Sequence, residues 1–335
     1  MSRLAVGGLV AVAGCGNVRA VDTAADGAGS TAGAAPDASG APDAAAAPDG
    51  ARDGPDAAVD QGLAPCDPNA AFSAPAPLDD FNTAANDDAV FLSDDQLTAV
   101  LSSDRPGGSG GYDLWVAVRS DVLARFSAAT PAGGVNSADD ERQPALSGDS
   151  RQIYFMSNHG SAGYRIVEAT RNGVTGGFAP PVAVAGLDSG MGDISPWLSS
   201  DGTQIYFGSG RAGGLGGNDI YVADLRAAGA TNVVDLTAVN SSADDASAVL
   251  SRDGLTLYFA SKRAGATARG NDDIWLSRRA AASDPFGAPA AVTELNSAAA
   301  DGPRWLSPDS CTLYFVSDRN GGRGGYDLYS ATRGR

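Results

Sequence analysis

From residue 72 onward, apolar side chains come in short runs that alternate with small or polar residues and are bounded by Gly, Asp, Asn and Pro. Alternation with a period of two is the signature of half-buried strands, and no stretch after residue 15 carries a helical period. The runs recur in blocks of 52 to 56 residues, as in LSSDGTQIYFGSGRAGGLGGNDIYVA from Leu198 and LSPDSCTLYFVSDRNGGRGGYDLYSA from Leu306. A repeat of this length with glycine turns predicts one propeller blade per block.

The anchors of the repeat keep constant offsets. A serine opens each tight turn (Ser93, Ser147, Ser199, Ser251, Ser307), and an acid stands two residues later (Asp95, Asp149, Asp201, Asp253, Asp309). Eleven residues before each serine lies Asn82, Asn136, Asp188, Asn240 or Asn296. Five blades of four antiparallel strands are therefore expected: a run ending at the serine (Pro196 to Leu198), a Tyr-Phe run (Ile153 to Met156, Leu257 to Ala260), a run after the glycines (Asp327 to Ala331) and one leading into the asparagine (Ala291 to Leu295). Tyr154, Tyr206, Tyr258 and Tyr314 mark the second strand; packing between blades explains that stripe better than a stacking platform for a ligand.

The last block stops after its third strand, and the missing piece stands at the other end. FSAPAPLDDFN at Phe72 to Asn82 matches FGAPAAVTELN at Phe286 to Asn296. An unpaired sheet edge invites aggregation, so the N-terminal strand is expected to complete the fifth blade and close the ring.

Residues 1–71 carry a different chemistry. Arg3 precedes an apolar run, Leu4 to Ala13, too short to span a bilayer, which ends in Val12-Ala13-Gly14-Cys15. That tetrapeptide resembles the lipobox of bacterial lipoproteins, which implies cleavage at residue 15, acylation of Cys15 and an outer-membrane anchor facing the periplasm or the cell surface. The other reading is an ordinary secretory signal. Residues 16–71 are rich in Ala, Pro, Asp and Gly and poor in large apolar side chains, so they are expected to form a disordered, self-repelling tether with a net charge of −7. Residues 72–335 then carry −11 of the total −17, which disfavours nucleic acid and favours cations or basic protein patches.

Beyond Cys15 only Cys66 and Cys311 remain. In an oxidising compartment they are expected to pair, because Cys311 falls in the first turn of the last blade and Cys66 just ahead of the donated strand.

Two sets of residues are candidates for chemistry. Asp87, Glu141, Asp193, Asp245 and Asp301 follow the anchoring Asn or Asp by five positions and are expected to ring one mouth of the central channel. Such a ring could hold Ca²⁺ or a cationic ligand, although no cofactor is required. Arg105, Arg211, Arg263 and Arg319 lie on loops at the same face, so an acid to arginine bridge is the competing account. The glycine loops GGSGGYD, GGLGGND and GGRGGYD, from Gly107, Gly213 and Gly321, lack the spacing of a calcium ladder, and their closing acids Asp113, Asp219, Asp273 and Asp327 are expected to accept hydrogen bonds from the loop or from the arginine. In the second repeat the arginine position is His159, the acid position is Arg165 and the loop is shorter. Arginine and acid vanish together there, as a structural pair would.

His159 is the sole histidine, no G-x-S-x-G elbow accompanies it, and no His/Cys cluster suggests zinc. The pattern L-S-x-D-G-x-x-L-Y-F-x-S-x-R-x-G-G-x-G-G-x-D-L-Y, over Phe72 to Arg335, resembles the WD40-like propeller repeat of TolB and related bacterial envelope proteins. TolB propellers are usually six-bladed and carry a separate α/β domain, which this chain lacks. The resemblance implies a non-enzymatic, monomeric module that binds an envelope protein or peptide and touches the membrane only through its lipid. The alternative is a glycan-binding or carbohydrate-active propeller that uses the acid-rimmed channel.

Overall fold

The computed structural model describes residues 66–334 except 162, 175, 266 and 267, so Cys15 and most of the expected tether lie outside the described residues. Five four-stranded antiparallel sheets form a β-propeller, each numbered here by its place in the chain. Their inner strands are Asp87–Leu92, Glu141–Leu146, Asp193–Leu198, Asp245–Leu250 and Asp301–Leu306.

Each inner strand turns into the second through the same device. The serine hydroxyl donates to the acid two residues on, as Ser199 to Asp201 (2.6 Å), and accepts the amide five residues on, as from Gln204 (2.9 Å). The position between them adopts a left-handed backbone, which explains Gly202 (φ 67°) and Gly254 (φ 71°) in this turn.

The second strands supply the core. Phe155, Phe207, Phe259 and Phe315 are fully buried between blades, each contributing about 2–3 kcal/mol of apolar burial. The tyrosine stripe packs in the same clusters, in line with the packing account.

The outer strands are shorter than the apolar runs suggest. The ladder of blade 4 takes only Ala290–Ala291, after which Leu295 and Asn296 fold back onto the Val292 carbonyl and Leu295 enters the core. Blade 3 is the exception, with a seven-residue outer strand, Gly229–Asp235. The side chains of Asn136, Asn240 and Asn296 each bond both backbone groups of one third-strand residue, Leu114, Ile220 and Ile274, beside a short outer strand in blades 1 and 4 and beside the long one in blade 3. Asp188 lacks the amide donor and caps its own turn at Gly190.

The ring closes as the repeat register requires. Ala76 and Pro77 pair with Ser330 and Tyr329 on the edge of blade 5, and Asn82 bonds both backbone groups of Leu328. Residues 66–71, read from composition as tether, are instead held against blades 4 and 5: the Asp67 amide donates to the Gly334 carbonyl (3.1 Å), and Arg333 of blade 5 and Arg278 of blade 4 both reach the Pro68 carbonyl. A local reading of Ala, Pro and Asp content could not see these partners, which lie more than two hundred residues away.

Candidate functional site

The five repeat acids open the inner strands, but they do not face a channel. All are essentially inaccessible to solvent. Asp87, Asp193, Asp245 and Asp301 each take an arginine Nη2, from Arg105 (2.5 Å), Arg211 (2.9 Å), Arg263 (2.6 Å) and Arg319 (2.5 Å). Their other oxygen accepts the amide and hydroxyl of the residue four positions earlier, as Ser189 does for Asp193 (2.7 and 2.9 Å). The expected cation ring at the channel mouth is therefore corrected: these carboxylates are spent on holding the loop between blades, and they do not converge as Ca²⁺ ligands must.

The arginines and the glycine-loop acids also turn out to have separate partners. Asp113, Asp219, Asp273 and Asp327 accept backbone amides of their own loops, as Asp113 does from Ser109 (2.9 Å) and Gly110 (3.2 Å). Burial raises the Asp219 carboxyl, against the bond from the Gly216 amide. The glycines serve close approach as well. A Cβ on Gly110, Gly216, Gly270 or Gly324 would lie within 2.0 Å of a backbone oxygen of the next blade, on Asp139, Ala243, Ala299 and Ala85 respectively.

The axis itself holds a group that the repeat pattern did not reveal. A bulge interrupts every inner strand and turns polar residues inward, with left-handed backbone at Gln143, Ser195 and Ser247. Asp88 of blade 1 receives Arg142 of blade 2 (3.0 Å) and Arg304 of blade 5 (3.4 Å). Arg304 continues to Ser247 (3.1 Å), Ser247 to Ser195 (3.4 Å) and Ser195 to Gln143. All five blades are thus joined by one polar girdle. Burial would raise the Asp88 carboxyl, but Arg142 and Arg304 together hold it below its ordinary value, while burial lowers Arg304.

That shift fixes the sign of a pH effect. A carboxyl depressed on folding contributes stability above its unfolded value, 3.8, and loses it as the pH falls below. Asp88→Asn is expected to flatten the fall in unfolding free energy between about pH 5 and pH 3 relative to wild type, measured by urea titration at each pH. An unchanged pH slope would show that Asp88 is not held ionised by its arginines.

Below the girdle, on the serine-turn face, the axis widens into an open cavity lined by Phe91, Trp197 and Trp305. Phe91 and Trp197, from blades that are not neighbours, meet at 5.2 Å, and Trp305 lies alongside. Asp94 and Arg252 form an exposed ion pair at the rim (3.5 Å), also between blades that are not neighbours.

Cys66 and Cys311 are joined in a disulfide, Cα to Cα 5.3 Å, linking the donated segment to the first turn of blade 5. Among the described residues one group of metal-ligating type converges, these cysteines with Asp309, and both sulfurs are already bonded to each other. His159 is exposed and bonds Asp139 (2.8 Å).

No protein-family model matches the chain, and no curated protein is similar to it in sequence. Solved structures with some likeness to it include TolB from Acinetobacter baumannii (13% identity, TM-score 0.45, covering 74% of this chain and 55% of that one). Others are the catalytic domain of the Coprinopsis cinerea GH62 α-L-arabinofuranosidase (12%, 0.49, 79% and 97%) and RS223 β-xylosidase (14%, 0.49, 77% and 94%). The chain spans about 55% of the length of that TolB. These likenesses are of fold alone.

Proposed function

We propose that this propeller is a non-enzymatic binding module for a protein or peptide, held in the bacterial envelope by a lipid on Cys15. The observation that carries the reading is the commitment of the repeat acids. Four are ion-paired and the fifth, Glu141, is bonded to Ser137 and Ser157, so a paired acid and base at equivalent repeat positions has no free members. The two loop faces offer binding features instead: the aromatic-floored cavity on the serine-turn side, and the exposed Met191 and Leu215 on the glycine-loop side.

One observation favours a glycan instead. An aromatic floor beside a carboxylate and a guanidinium suits the faces and hydroxyls of a sugar ring. Cross-linking in envelope fractions separates the two readings, comparing wild type with Asp94→Asn/Arg252→Gln on one face and Met191→Asp/Leu215→Asp on the other. A protein partner lost from one variant and kept by the other supports the module. Capture indifferent to both faces, or saturable binding of neutral oligosaccharides lost in the Asp94/Arg252 variant, overturns it. Metabolic labelling with palmitate is expected to mark wild type and spare Cys15→Ser.

A further inference from the structure

Blade 2 departs from the repeat in a way that leaves a recognition site. In the other four blades a guanidinium occupies one set of acceptors. Its Nε donates to a second-strand serine (Ser103, Ser209, Ser261, Ser317; 2.7 to 3.0 Å). Its Nη2 bonds a backbone carbonyl (Phe81, Leu187, Val239, Leu295; 2.6 to 2.8 Å) and the inner-strand aspartate. In blades 3 to 5 it also lies 4.9 to 5.1 Å from a phenylalanine ring.

Blade 2 keeps the acceptors and lacks the arginine. Ser157, the Val135 carbonyl, Glu141 and Phe155 hold the equivalent positions, and the His159 amide still bonds Ser157 (3.1 Å), so the loop begins on the same path. The imidazole, however, turns outward to Asp139 and is largely exposed. Glu141 is 1% exposed, takes its three bonds from Ser137 (amide 2.7 Å, hydroxyl 2.5 Å) and Ser157 (3.1 Å), and has no cationic partner among the described residues. None of those residues donates to the Val135 carbonyl. Arg165, cross-strand from Ser157, points its Nη2 at the His159 carbonyl and leaves a buried Nε without an acceptor.

The neighbouring segment at the start of blade 3 is open, since a Cβ on Gly190 or Gly192 would meet nothing within 4 Å and Met191 stands 65% exposed, whereas Glu141, Ser157 and Val135 are themselves at most 4% exposed, so an entering guanidinium must displace what covers them. A buried carboxylate, a hydroxyl and a carbonyl stand at the repeat positions that hold guanidinium in the four other blades, with the longer glutamate in place of the aspartate, and the planar fork of arginine satisfies several such acceptors at once.

We infer that blade 2 receives an arginine side chain from the partner, seated on Glu141, Ser157 and the Val135 carbonyl. The inference rests on the module reading and names the chemistry of its ligand. The net negative charge of the chain agrees with a basic partner segment.

The test uses the full-length protein and the tripeptide acetyl-Gly-Arg-Gly-amide at millimolar concentration, followed by ligand-observed NMR and calorimetry. Wild type is expected to bind it, and to bind the isosteric neutral citrulline peptide about tenfold more weakly or not at all. His159→Arg is expected to supply the missing guanidinium internally, abolish peptide binding and raise the melting temperature. Because this variant is stabilised, its loss of binding cannot be ascribed to unfolding. Undetectable binding by wild type, equal binding by His159→Arg, or binding that appears only in Arg165→Ala, where the chain's own Arg165 had filled the site, would each overturn the inference. An envelope partner still captured by His159→Arg would sink this site alone; capture by neither face sinks the module reading.

Discussion

Cys311→Ser is expected to lower the unfolding free energy by about 3–5 kcal/mol, because the disulfide closes a loop of 245 residues and restricts the unfolded chain accordingly. The donated strand contributes a ladder of only two residues, Ala76–Pro77, reinforced by Ser73, Leu78 and Asn82. So short a strand has little capacity to hold the ring shut once its covalent link is gone. Urea unfolding of wild type in reducing buffer should match that of the variant in oxidising buffer, and the Cys66→Ser/Cys311→Ser double variant should be no less stable than either single one. A shift below about 1 kcal/mol would place the closing strength in the strand and its asparagine clamp rather than in the sulfur bridge.

The second large effect is expected at the buried acids. Asp301→Ala leaves Arg319 against the Leu295 carbonyl with its counter-charge removed, in a site where the guanidinium is mostly buried. Breaking one side of such a pair costs about 3–5 kcal/mol. Arg319→Met combined with Asp301→Leu, which removes both charges, is expected to recover much of that loss. Glu141→Gln is the internal control. It has no arginine to strand and keeps one oxygen for the Ser137 and Ser157 hydroxyls, but its NH2 then faces the Ser137 amide, so a loss of about 1–3 kcal/mol is expected. Chemical denaturation of the three variants checks the order; equal losses at Asp301 and Glu141 would mean that the ion pair adds nothing beyond the hydrogen bonds.

Much of the architecture was legible because a repeat reports its own register. The recurrence of Ser93, Ser147, Ser199, Ser251 and Ser307 every 52 to 56 residues counted the blades, and the match of Phe72 to Asn82 with Phe286 to Asn296 located the closing strand. The chemistry of the acids was less visible. Position in the repeat placed Asp87 and its equivalents at the start of the inner strand, but not the direction of their side chains, which are fixed by the serine or threonine four residues earlier and, in all but Glu141, by the arginine eighteen residues later.

The axial girdle escaped altogether. At its level the repeats carry Asp88, Arg142, Ile194, Ala246 and Gly302, which share no chemistry, and a bulge leaves no mark in alternation. The signal available was the charge itself: Asp88, Arg142 and Arg304 interrupt the apolar runs of three inner strands, and isolated charges there seldom go unpaired.

Because Asp67 and Gly334 share a hydrogen bond, the described chain begins and finishes at one spot on the wheel. Every blade boundary is consequently an equivalent place to start translation: a circular permutant opened between two other blades, with a short linker across the present junction, would keep all the strand pairings and shift the site of attachment to a rim position of choice.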